Sequence, residues 1–446
     1  LVLRSPEIFG DDLFFLQGGQ GSYTLMPWLL AHGLAWLEPA SLFLWGALAG
    51  LLLFAAAGWY CLRALLPASQ RYWAWLGVLV LPSMYGRSVV FSYAEPFLTP
   101  RPLAEALSLF AIGLAIRKHW YLAATCALLA AAFHPLQAIG MTLVAWPWAL
   151  MQDRRWLHVA WLSIPLALLA YAGVAPFDGL ARAIDPTWLA ALRAFNGQLF
   201  VTGWSVVDYK LLAFDAFVLA CAWRSLHAPF ASWCLAALVG LALGISSSLL
   251  LVDVLHLELP AGLQLWRVHW LAHWFAVAAI AGLLYRDVQA RDVPRTLLLV
   301  LIALLAWGES LWTWIPFALL YASWPFASSR VQPRVTRLLG ILFALGLVVL
   351  LAAHVAQELI SFRSSHYRLD LYAVDRRLLV FPLVALGLPL LGVFAWNRAG
   401  GTGRWILLAA ALCPMLVLGA VRWDARPPIP RVLEQNAMRP DLFGEV

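Results

Sequence analysis

Two adjacent carboxylates, Asp11 and Asp12, stand in the run Ile8-Phe9-Gly10-Asp11-Asp12-Leu13-Phe14-Phe15. Aromatic neighbours desolvate a carboxylate and raise its proton affinity, which suits a general base. A solvated helix start, where Asp satisfies free backbone N–H groups, is the plainer account of the pair. A second group lies between Ser92 and Glu105, where Pro96, Pro100 and Pro102 fix an extended loop that runs straight into a helix. Glu95 and Arg101 then sit at its mouth, with Glu105 one turn inside. They either staple the loop as an ion pair or form a wall, a carboxylate for hydroxyls and a guanidinium for phosphate.

Further positions complete the set. His134-Pro135 interrupts an apolar run, so His134 either caps a helix end or faces a site. In Gln264-Leu265-Trp266-Arg267-Val268-His269, Arg267 falls at a helix end, as an interfacial anchor or as an anion contact. His269 and His273 share a helical face at i, i+4, but a metal there needs a third ligand. Asp215 and Glu309 read as polar groups packed between helices. Phe362 to Arg368, with its positive charge, reads as an interfacial anchor or a phosphate contact.

What must position these residues is set by composition. Of 446 residues 63% are hydrophobic and 12% charged, with mean hydropathy +0.80. A soluble globular chain does not reach such values, so the expected class is an all-α integral membrane protein. Fourteen apolar segments between 39 and 422 predict a polytopic bundle of about 12–14 transmembrane helices. Those starting at 72, 120, 136 and 295 are short against the roughly 20 residues a span requires. The segment 156–174 reads as one of the spans. An amphipathic stretch, Tyr23 to Leu37, predicts a surface helix after the first outer loop, and a second is expected around Pro186 to Phe200. The 25 tryptophans fit the preference of indole for the headgroup zone.

Charge gives the orientation. With the start outside, inner loops hold fifteen of the 30 basic residues but only Asp153, Asp287 and Asp292 of the 23 acids. Residues 1–38, 87–101, 175–208, 253–264, 360–377 and those after 423 are then extracytoplasmic. The organisation expected is an outer loop and surface helix over 1–38, a membrane domain over 39–422, and an outer region beginning at 423. The missing initial Met and the ending at Val446 suggest a fragment lacking a first helix and an outer C-terminal domain. The +7 net charge is topological and needs no nucleic acid. Only Lys118 and Lys210 are lysines, in an Arg-, Ala- and Leu-rich chain, a composition that suggests a GC-rich bacterial genome and a plasma (inner) membrane.

Absences narrow the function. Neither lysine follows a Gly-rich phosphate loop, and there is no His-Glu-x-x-His helix or Gly-x-Ser-x-Gly elbow, so ATP-driven pumps and common hydrolases are disfavoured. Cys61, Cys126, Cys221, Cys234 and Cys413 lie in apolar segments without metal or redox spacing.

An acidic pair, Asp11-Asp12, ahead of a surface helix and many irregular spans resembles the GT-C superfamily of polytopic glycosyltransferases. The resemblance implies transfer of a sugar from a polyprenyl-phosphate donor to a hydroxyl of a glycan, lipid or protein acceptor on the extracytoplasmic face. It implies Asp11 or Asp12 as base, Arg101 and Arg267 on the phosphate, and Glu95, His134, Gln264 and His269 among the substrate contacts. A divalent metal could assist the leaving phosphate, and no other cofactor is implied. The alternative is a proton-coupled secondary transporter or lipid flippase of envelope precursors, with Glu105, Asp215 and Glu309 carrying protons.

Overall fold

A computed structural model of the chain describes residues 24–87, 91–95, 97–308, 311–328, 330, 332–368, 377–378 and 381–422. Asp11, Asp12 and Glu309 lie outside them. The described residues are helical, with only two isolated bridges of extended backbone, Met84 with Ser92 and Ala183 with Leu257. Among the described residues four stretches are long and apolar enough to cross a membrane: Pro39–Leu65, Phe230–Val254, Glu258–Gln289 and Pro333–Ser364.

In chain order the helices are α1 Met26–Leu34, α2 Pro39–Leu65, α3 Ala68–Val80, α4 Pro100–Ile116, α5 Trp120–Phe133, α6 Pro135–Gln152, α7 Ser163–Tyr171, α8 Pro186–Phe195 and α9 Val206–Ser225. They continue as α10 Phe230–Ser248, α11 Glu258–Leu263, α12 His269–Gln289, α13 Val293–Trp307, α14 Trp314–Ser328, α15 Pro333–Ser364, α16 Pro382–Arg398 and α17 Gly401–Arg422. Local chemistry sets many starts. Proline opens α2, α4, α6, α8, α15 and α16, where its fixed φ helps and its missing N–H costs nothing. Asp185 caps α8, Asp292 caps α13, and Ser205 with Asp208 forms a capping box on α9.

The bundle turns around one post. In Glu258–Gln289, 83% of the apolar window is buried, against 17% in α2 and in α15, so α11–α12 is central and the other two are peripheral. Its Ala272, Ala276, Ala278 and Ala279 let neighbours approach closely. Trp233, Trp266, Trp270 and Trp274 are fully buried within the bundle. Trp233 stacks between Trp148 and Phe275, centroids 4.6 and 5.9 Å away.

The segment 156–174 does not form the expected span. Arg154–Leu162 is a 3-10 helix, and a nine-residue α-helix follows, with no buried residue in either. Pro165 belongs to the first turn of α7, and the backbone stays right-handed helical through Leu162 and Ser163, so the segment changes helix type without a break. The surface helix expected over Tyr23 to Leu37 is shorter, α1, and the one after Pro186 ends at Phe195.

Loops expected on one side meet one another. At the first end, Ile184 N–H donates to His256 O and Glu258 N–H to Arg182 O, while Arg182 pairs with Asp178 and Glu258. Asp253 accepts the N–H groups of Val201 and Thr202. At the opposite end, buried Asp287 accepts from Arg286 Nε and Tyr321 O–H, both at 2.8 Å, and Trp324 Nε1 donates to Asp292. Asp287 and Asp292 are therefore latches between α12, α13 and α14.

Candidate anion site

The first end carries a site built on a break in the central post. After α11 the backbone turns at Gln264, whose φ of 47° is left-handed, and a 3-10 turn, Leu265–Val268, leads into α12. A non-glycine residue held there costs energy that surrounding packing must cover, and such positions gather at functional sites. The turn aims Arg267 inward, 5% exposed, with Nε donating to Gln264 Oε1 at 2.7 Å. Its Nη1 is buried and has no hydrogen-bond partner among the described residues. An unmet guanidinium donor away from water is costly, and an anion would relieve it.

Arg101, on the first turn of α4, converges on the same place. The Phe91 ring lies 4.4 Å from the Arg267 guanidinium carbon and 5.2 Å from that of Arg101. One aromatic ring thus contacts two cations. Glu95 is buried and ion-paired to Arg101, and it accepts from the Thr99 hydroxyl at 2.8 Å. Its carboxylate is engaged as the loop staple that the sequence allowed.

Phe91 is set by the antiparallel pairing of residues 83–85 with 91–93. Tyr85 N–H donates to Phe91 O and Tyr93 N–H to Ser83 O. Behind it Glu105 is fully buried and accepts from Ala94 N–H at 2.9 Å and Gln137 Nε2 at 2.7 Å. Gln137 Nε2 also lies 3.0 Å from the Tyr85 hydroxyl. Burial pushes the Tyr85 phenol up to about 12, against the opposing field of Arg267, so it keeps its proton.

His134 occupies the junction of α5 and α6, and its Nδ1 accepts from Gln137 N–H at 3.4 Å. Burial, followed by the positive fields of Arg267 and Arg101, holds its imidazole down to about 3. It is a neutral helix cap beside the two arginines. Because protonation favours the unfolded chain, the stability tied to His134 is complete above its ordinary 6.5 and declines as pH falls toward 3. One pH unit below 6.5 the loss is about 1.4 kcal/mol. His134→Gln should flatten that decline in thermal melts; an unchanged decline would place its origin elsewhere.

His269 does not reach the anion site. Its Nδ1 accepts from Gly86 N–H at 2.9 Å and its Nε2 lies 2.8 Å from Asp215 Oδ2, so both ring nitrogens are engaged within the protein. The structure thus brings together Arg101, Arg267, Gln264, Glu95 and His134 and sets His269 one layer deeper. Phe91, Tyr85 and Gln137 were missed. An aromatic in a proline-bounded loop carried no periodic signal, and only the fold places it under two arginines. Among the described residues no three His, Cys, Asp or Glu side chains gather to hold a metal. No family model matches the chain, and neither curated proteins nor solved structures give a match.

Proposed function

We propose that the chain is a polytopic membrane glycosyltransferase of GT-C type, with about 12–14 spans, in a bacterial inner membrane. It moves a sugar from a polyprenyl-phosphate donor to an acceptor hydroxyl on the extracytoplasmic face. The observation that carries this reading is the buried, partnerless Nη1 of Arg267, whose guanidinium shares the Phe91 ring with that of Arg101 beside a break in an apolar helix. Planar donors in a water-poor place suit a phosphate that arrives on a lipid. Discontinuous helices at such depth are a recurrent way of presenting ligand groups.

In the reaction Asp11 or Asp12 accepts the proton of the acceptor hydroxyl while that oxygen bonds to the anomeric carbon. The bond from the anomeric carbon to the phosphate oxygen breaks, and the lipid phosphate departs with its electron pair toward Arg101 and Arg267. The sugar phosphate bond supplies the driving force, so no ATP is consumed. Gln264 positions Arg267, and Glu95 positions Arg101. A carboxylate base contributes about 10²–10⁴-fold. Transfer of labelled sugar from a decaprenyl-phosphate donor should therefore fall by that order in Asp11→Asn or Asp12→Asn. Retained transfer in both single variants and the double variant would sink the assignment.

The transporter reading draws on one observation, the full burial of Glu105 within a hydrogen-bonded set. Proton-coupled lipid flux that Glu105→Gln abolishes, with no sugar transfer in the parent protein, would select it.

A further inference from the structure

Beneath the anion site, Asp215 of α9 meets His269 and His273 of α12, with side chains at most 1% exposed. Hydrogen-bond bookkeeping fixes where protons must lie. Gly86 N–H donates to His269 Nδ1, so that nitrogen is bare and Nε2 carries the proton given to Asp215 Oδ2. His273 Nε2 lies 2.9 Å from the carbonyl oxygen of Pro82, which can only accept, so this nitrogen also carries a proton. The remaining nitrogen, His273 Nδ1, lies 2.8 Å from the same Asp215 Oδ2. Two bare lone pairs do not sit at that distance, so one further proton lies between them. Oδ2 already accepts from His269, and a buried carboxylate with two N–H donors is most stable ionised beside a cation. The extra proton therefore belongs to His273.

The same contacts bind both ends of the 82–86 segment to α12, through Pro82 O and Gly86 N–H. That segment pairs with 91–93, which carries Phe91. We propose that Asp215, His269 and His273 form a clasp holding a single trapped proton, with His273 as an imidazolium, which positions the Phe91 loop and so the Arg101–Arg267 pair. The clasp stands on its own geometry; its consequence for ligand rests on the anion-site reading. The titratable and charged groups around it are Tyr85 and Tyr93 from the loop, their rings 6.4 and 5.8 Å from His269 and His273. Beyond these come Glu105 of α4, Arg267 of the preceding turn and Lys210 of α9, which donates to Gly308 O.

The test uses the full chain in lipid nanodiscs with ¹⁵N-labelled histidine. At a pH about two units above the ordinary imidazole value, the expected spectrum holds one imidazolium, absent from Asp215→Asn, and one neutral Nε2–H ring assigned to His269. A spectrum of neutral histidines alone overturns the clasp. The second arm measures binding of decaprenyl phosphate, expected to weaken tenfold or more in Asp215→Asn and His273→Gln. An imidazolium in the parent with binding within twofold in both variants overturns the positioning role. A parent that binds no decaprenyl phosphate removes the anion-site reading, and the spectrum still decides the clasp.

Discussion

Arg267→Ala should weaken binding of a polyprenyl phosphate a hundredfold or more and lower sugar transfer at least as far. The argument is one of donors. Arg267 spends Nε on Gln264 and stacks on Phe91, which leaves Nη1 buried and unmet until a ligand arrives. A hydrogen bond to a charged group is worth about 1.5–3 kcal/mol, and two of them toward one phosphate account for the expected loss. Arg267→Lys should recover little, since an ammonium cannot hold Gln264 and present a planar pair at the same time. Arg101→Ala should cost less, about tenfold, because Arg101 is partly exposed and already neutralised by Glu95. Binding isotherms with the lipid phosphate in nanodiscs, read beside thermal melts, separate lost contact from lost fold. Affinity within twofold of the parent in a well-folded Arg267→Ala protein would remove the phosphate from this site.

How much of this could be read from the chain depends on the range over which each signal acts. The starts near Pro100 and Pro135 were legible because proline acts on its own backbone, whereas the helix expected from 338 begins already at Pro333. The meeting of the loops at 175–208 and 253–264 agrees with their expected common side, because charge asymmetry acts on loops far apart in the chain. The i, i+4 spacing of His269 and His273 was visible, but their shared partner Asp215 lies 54 and 58 residues away and only packing of α9 on α12 supplies it. The buried tryptophans show the same limit. Composition records that indole is abundant, whereas the burial of Trp233 between Trp148 and Phe275, and of Trp270 against Gly140, comes from residues far apart in the chain. Within 156–174 average hydropathy did not show that the helix is 3-10 up to Leu162 and α only from Ser163.

The left-handed turn at Gln264 was the least legible feature and has the largest consequence. No glycine marks it, and the residues on either side are apolar enough to continue a helix. The break is held from outside, by α10. A Cβ on Gly244 would lie 2.5 Å from Val268 Cγ1 and 2.7 Å from Leu265 O, so this glycine lets α10 pack directly on the turn that carries Arg267. From the loop side Gly86, with φ of +61°, leaves room for the Trp266 ring, which a Cβ would approach to 2.5 Å.

Gly244→Val should therefore damage function through shape alone. The carbonyl of Leu265 is backbone and cannot swing aside like a side-chain tip, so the turn or α10 must move. Overpacking of this kind costs about 1–3 kcal/mol, and the displacement acts on a residue two positions from Leu265 and one from Val268. The expected outcome is a lowered melting temperature together with a decaprenyl phosphate affinity reduced about tenfold, although no residue of the anion site has been altered. Gly244→Ala should show the same two effects more weakly. Gly262→Ala is the matched control, one turn away in α11 with nothing within 4 Å of its Cβ, and should leave both measurements near the parent values. If Gly244→Val melts early but binds the lipid phosphate as the parent does, α10 supports the fold without setting the turn, and the geometry at Arg267 is held by Gln264 and Phe91 alone.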